Sequence, residues 1–195
     1  IIRLSTDSVM LDRIMKEAKV LDLDGRFERT PVHVIDGLLG EEGSVRFAEL
    51  KVPGEESSEA LAALDEGLST VARTISQCQG AQELGFELSA RTLGLVHEAG
   101  MLTTDPPAID RDTVMRWAPT FLWQRLMLVL FLGPNKGTLE LELFDNAGDP
   151  LRLITEPGML AVIRADQMWH RHSVPGGSAF ALSCFVQQQG RQAGQ

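Results

Sequence analysis

Arg125-Leu-Met-Leu-Val-Leu-Phe-Leu132, Gly137-Thr-Leu-Glu-Leu-Glu-Leu-Phe144, Glu156-Pro-Gly-Met-Leu-Ala-Val-Ile163, Trp169-His-Arg-His172 and Gly177-Ser-Ala-Phe-Ala-Leu-Ser-Cys-Phe-Val186 follow one another in the C-terminal part of the chain. Four of them are short apolar or alternating runs, Trp169-His-Arg-His172 is a short polar-aromatic one, and Pro134-Asn-Lys-Gly137, Asn146-Ala-Gly-Asp-Pro150 and Pro175-Gly-Gly177 supply turn chemistry between them. Strands joined by turns are the reading. The longest run, Leu126 to Leu132, is far shorter than the roughly 20 residues a membrane-spanning helix needs and reads as a buried strand.

Upstream the period changes. Met10, Ile14, Ala18 and Leu21 recur at three- and four-residue steps after a Ser/Thr/Asp start, so Thr6 to Leu21 is expected to be an amphipathic helix. A second helix is expected from Ser57 to about Cys78, with Leu61, Leu64, Leu68, Val71 and Ile75 on one face. Pro31 to Ile35 alternates as a short strand, Asp36 to Gly43 as a glycine-rich turn, and Ser44 to Lys51 leans towards helix over the return strand of a hairpin. Phe86 to Val96 reads as one strand, Gly100 to Asp112 as a loop, and Trp117 to Trp123 is ambiguous. Helices first and strands afterwards indicate an α+β fold, a jelly roll with supporting N-terminal helices. The expected division is a helical extension over 1–29, the jelly-roll domain over 30–187 and a tail over 188–195.

At 195 residues the chain has the length of one domain, enough to bury roughly 70% of its unfolded surface. Its formal charge of −9 opposes binding to nucleic acid, because no Lys/Arg cluster replaces the phosphates' counterions. Cys78 and Cys184 lie far apart without ligand spacing and suggest neither a disulfide framework nor a zinc site. The start at Ile1 is compatible with a trimmed product whose targeting segment has been removed, so the compartment is unknown, soluble or peripheral.

The order of the C-terminal pieces resembles the second half of iron- and 2-oxoglutarate-dependent oxygenases of the prolyl 4-hydroxylase type. Val34-Ile-Asp-Gly-Leu-Leu-Gly-Glu-Glu42 is similar to the strand and turn that open those domains, and the Pro53 to Cys78 helix followed by Ser89-Ala-Arg-Thr92 to the elements before their metal loop. The resemblance covers about residues 30 to 187 and implies a double-stranded β-helix. Family members hold iron with a His-x-Asp pair and a distal His, and bind the distal carboxylate of 2-oxoglutarate with an Arg or Lys on the penultimate core strand.

Four histidines occur, His33, His97, His170 and His172, and none begins His-x-Asp or His-x-Glu. Depending on the register, Met115-Arg-Trp117, Asp110-Arg-Asp112 or His97-Glu-Ala99 falls where the pair should stand. The last would match relatives that replace the carboxylate with a small residue. His170 or His172 takes the place of the distal histidine. Ala179 takes that of the basic residue, and Phe131 stands where relatives often place a phenol. His170 and His172, two apart on an expected strand, are expected to point to opposite faces, with one in the cavity.

The resulting expectation is a non-catalytic prolyl 4-hydroxylase-like domain, a structural or binding subunit of a larger protein assembly, without a cofactor. The alternative is an active dioxygenase using Fe(II) and 2-oxoglutarate, with His170, His97, Asp110 and Asp112 as candidate metal ligands and Arg125 or Arg171 replacing the missing base. A sugar- or small-ligand-binding jelly roll is a third class. Trp117, Trp123 and Trp169 are candidates for lining a cavity or anchoring a partner.

Overall fold

The structure is a computed structural model that describes residues 2–3, 8–31, 34, 38–39, 45–50, 58–78, 85–100, 105–145 and 148–188. In chain order these form β1 (Ile2–Arg3), α1 (Ser8–Leu23), β2 (Glu28–Arg29), β3 (Val45–Glu49), α2 (Glu59–Gln77), β4 (Leu88–Arg91) and β5 (Leu95–Gly100). There follow α3 (Arg111–Trp123), β6 (Gln124–Pro134), β7 (Gly137–Leu143), β8 (Leu151–Thr155), β9 (Met159–Ile163), β10 (Met168–Ser173) and β11 (Ser178–Gln188).

The large sheet runs β1-β9-β6-β11-β5-β3-β2, with β4 also on β11, and the small sheet runs β10-β7-β8. All pairings are antiparallel. Side chains alternate across a strand, so β6 supplies two cores at once. Leu126, Leu128, Leu130 and Leu132 pack with the helices, whereas Met127, Val129 and Phe131 pack in the interior with Leu139 of the small sheet. This explains why the Leu126 to Leu132 run does not alternate in polarity: both faces of its strand are covered.

The helices cover the outer face of the large sheet. From α1, Ile14, Ala18 and Leu21 are buried at helical spacing, and from α2, Leu61 and Leu68 are buried while Leu64, Val71 and Ile75 pack beside them. Ser58 makes no side-chain cap to α2. Its place is taken by Glu17 of α1, whose carboxylate accepts from the N–H groups of Ala60 (3.1 Å) and Leu61 (2.9 Å). A negative group at a helix N-terminus satisfies donors that the helix itself cannot, so this bond joins α1 to α2.

Several local expectations are corrected. Val45 to Glu49 is a strand, not a helix, because it pairs with β2 on one side and β5 on the other. Partners on both edges supply the backbone bonds that a helix would make locally. The short strand near Pro31 lies earlier, at Glu28–Arg29; Val34 is helical, and residues 32, 33 and 35 are outside the described residues. Leu38 and Leu39 form a bend, the rest of the expected turn being outside the described residues. Phe86 to Val96 is two strands, each pairing with β11 at a different level, with Gly94 between them. A side chain at Gly94 would collide with Asp65 of α2. The ambiguous Trp117 to Trp123 is helical, and its helix starts at Arg111, inside the expected loop.

Candidate functional site

Among the described residues, the interior between the two sheets is apolar except for five side chains. His97 on β5, Ser183 on β11, His170 and His172 on β10, and Thr155 on β8 are each 2% exposed or less. The two β10 histidines do not point to opposite faces. Both are buried and Arg171 between them is exposed. The strand period of two places residues i and i+2 on the same face, which is the physical reason for the correction. Their register neighbours, Leu141 and Leu139 on β7, belong to the same interior.

Each imidazole has a fixed partner. His97 Nε2 lies 2.5 Å from Ser183 Oγ. Its Nδ1 is buried without a hydrogen bond, and a bare lone pair costs less there than a bare N–H. The proton therefore sits on Nε2 and is donated to Ser183. His172 Nε2 is 3.1 Å from Thr155 Oγ1, which also accepts the N–H of Gly137 at 3.0 Å. His170 Nδ1 is 3.1 Å from the carbonyl of Met168, an acceptor only, so this nitrogen carries the proton.

Burial pushes the His97 imidazole down to about 3, with the charges that His172 and His170 would carry adding to the effect. Burial pushes His172 down to about 4. Both are neutral at physiological pH. Neutral imidazoles are metal ligands in principle, but no group of three or more His, Cys, Asp or Glu side chains among the described residues is placed to hold a metal ion.

Asp110 and Asp112 stand apart from this interior on the N-terminus of α3. Asp110 Oδ1 accepts the N–H of Thr113 at 2.8 Å and caps the helix, which holds its carboxyl below the usual range. Asp112 is exposed in the first turn. Both border a surface cavity of about 250 Å3 whose wall also includes Thr30, Phe47, Arg116 and Trp117. The alternative ligand set is thus divided, with His97 and His170 inside the sandwich and the two aspartates at the mouth of a different cavity. His33 lies outside the described residues.

The other positions singled out in the sequence have apolar or committed surroundings. Ala179 pairs with Ala99 across the sheet and packs in a small cluster with Val45 and Val174. The Phe131 ring lies against His172 at a centroid distance of 4.8 Å. Arg125 donates to Gln188 at 2.8 Å and covers the Phe86 ring, and Arg171 is exposed on the opposite face of β10 from the histidines. Trp117 is buried between Phe47 and Phe121, whereas Trp123 and Trp169 are partly exposed. Residue-by-residue reading missed Ser183 and Thr155. A hydroxyl on an otherwise apolar strand is the signal that would have found Ser183; for Thr155 no such contrast exists.

No protein-family model matches the chain, and no curated protein matches it. Solved structures do. A prolyl hydroxylase in complex with a hypoxia-inducible-factor oxygen degradation domain peptide fragment, from Trichoplax adhaerens, is 15% identical with a TM-score of 0.64, covering 96% of this chain and 82% of that one. A Pseudomonas putida prolyl-4-hydroxylase is 16% identical with a TM-score of 0.57, covering 94% and 89%. A prolyl 4-hydroxylase from Phytophthora capsici is 12% identical with a TM-score of 0.57, covering 92% and 55%. The jelly roll expected from the order of the C-terminal strands is accordingly the fold of the prolyl hydroxylases.

Proposed function

We propose that this chain is a non-catalytic prolyl 4-hydroxylase-like domain that serves as a structural or binding subunit of a larger protein assembly. One observation carries the reading. Ala179, in the slot that resembles the family's basic residue, is closed into an apolar cluster with Val45, Ala99 and Val174. A carboxylate brought there would lose its hydration and meet no guanidinium or ammonium, and an uncompensated buried charge costs several kcal/mol.

The interior nearby argues in the same direction. The nitrogen that His97 turns towards Ser183 is already committed to a hydroxyl, and Phe131 has no phenolic oxygen to offer. Iron and 2-oxoglutarate do not fit the side chains described. A binding role needs only the framework, and the Trichoplax protein named above is a prolyl hydroxylase in complex with a peptide fragment, which makes a peptide segment a reasonable kind of partner for the present chain.

Calorimetry with 2-oxoglutarate on protein purified with ferrous iron, together with metal analysis, tests the proposal. Neither metal nor cosubstrate is expected to bind. Stoichiometric iron with micromolar 2-oxoglutarate binding would instead establish the rival, an active dioxygenase with an atypical site.

A further inference from the structure

We infer that the exposed face of α3 is where a second copy of this chain docks, the two α3 helices packing antiparallel across a two-fold axis. The inference rests on the outer side of α3 and is independent of whether the interior binds iron or 2-oxoglutarate.

α3 carries apolar side chains on both of its sides. Trp117 and Phe121 turn inwards and pack with Phe47 and Phe185. On the other side Val114 is 44% exposed, Met115 65%, Leu122 70% and Trp123 47%, with Pro119 exposed and Ala118 half-buried between them. An ordinary surface helix puts polar residues there. α2 does so: its exposed positions include Glu66, Thr70, Arg73, Thr74 and Gln77 and no large apolar side chain. Between residues 114 and 123 the one charged side chain of α3 is Arg116, and it is turned back to Glu28 at 2.9 Å and Glu49 at 3.1 Å.

Two observations select a second copy as the occupant. The first is the order of the side chains. Met115, Ala118 and Leu122 stand at i, i+3 and i+7, one stripe along the helix. Reversed on itself about Ala118 and Pro119, the stripe brings Met115 against Leu122 of the second copy and Val114 towards its Trp123, with a small residue near the axis from each side. Small residues at the crossing let two helices approach to the ~8–10 Å of close packing. An isologous contact requires such self-complementarity, because each residue pair occurs twice. Arg111, one turn before Met115 in the same stripe, then lies over the last turn of the second helix, whose carbonyls lack intrahelical donors and favour a cation.

The second observation is area. The four large side chains expose on the order of 400 Å2, the size of the largest apolar patch on a typical monomer. Covered in two copies at once, with Arg111 and Asp112 at the rim, the contact comes to roughly 1,200 Å2, the lower bound for a specific, stable interface. A dimer in reversible exchange at micromolar concentration follows.

Sedimentation velocity at chain concentrations from about 1 to about 300 μM tests the inference, and a monomer–dimer equilibrium with a Kd between about 1 and about 100 μM is expected. Met115→Glu and Leu122→Lys should each weaken it by about tenfold or more. Both positions are exposed, so circular dichroism and the thermal midpoint should stay unchanged. Mixed in equal amounts, the two variants should associate again to within about threefold of the unchanged chain. In antiparallel packing the new carboxylate of one variant meets the new ammonium of the other, while the remaining Leu122 and Met115 still pair. A parallel arrangement would not restore association. A chain that stays monomeric over this range, a dimer indifferent to both substitutions, or two variants that stay apart on mixing would overturn the inference.

Discussion

The interior histidines show how far one side chain's chemistry depends on its surroundings. His97 and His172 are the same residue type as any surface histidine, yet burial holds them at about 3 and about 4 against an ordinary 6.5. In the unfolded chain each takes up a proton near 6.5; in the folded chain it does not. Between these values the unfolded state binds more protons, so the stabilisation is complete above about pH 6.5 and is lost as the pH falls towards the folded values. Each imidazole contributes about 1.4 kcal/mol per pH unit in that window. Urea unfolding should therefore show a loss on the order of 4 kcal/mol from these two groups between pH 7.5 and pH 5, and His97→Gln should remove about half of the slope. An unchanged slope in that variant would mean that the imidazole is not held neutral in the core.

At the scale of elements, the docking of α2 on the sheet rests on a polar clamp within an apolar contact. Asp65 is buried on α2, and Arg91 of β4 reaches it with Nη1 at 2.8 Å and Nη2 at 2.7 Å, while its Nε donates to Ser69 at 2.9 Å. Burial disfavours the guanidinium's charge, but the bonds to Asp65 outweigh it and raise its pKa. Neither partner is tolerable alone in such a setting, because removing one leaves the other buried and unpaired. Asp65→Ala is expected to cost about 3 kcal/mol in chemical denaturation, and Asp65→Ala combined with Arg91→Met less than the sum of the two single changes. Additive losses would show that the clamp contributes no coupling. The spacing of α2 was legible in the sequence because its apolar face repeats at 3.6 residues. The clamp was not, since Asp65 and Arg91 are brought together only by the packing of α2 against β4, which pairing with β11 holds in place.

The whole molecule depends on the segment that reads as an extension. Residues 1–29 contribute β1, which pairs with β9, and α1, whose Ile14, Ala18 and Leu21 are sealed in the same core as β6 and β11. Burying each large aliphatic side chain stabilises by about 1.5–3 kcal/mol, against a total stability of about 5–15 kcal/mol for a typical domain. Deleting residues 1–24 should abolish the cooperative thermal transition seen by circular dichroism; an unchanged midpoint would show that the segment is dispensable. By itself the sequence determined the α+β class, the two long helices, the strand series from Arg125 and the absence of any His-x-Asp or His-x-Glu. These depend on local periodicity and residue identity. Only the tertiary structure decided that Val45 to Glu49 is a strand, that both β10 histidines face inward with His97, that Ala179 is sealed among apolar side chains, and that Asp110 and Asp112 border a separate cavity with Thr30. The physical reason is that pairing partners and burial are supplied by segments distant in the chain, and those contacts override or complete what each residue prefers locally.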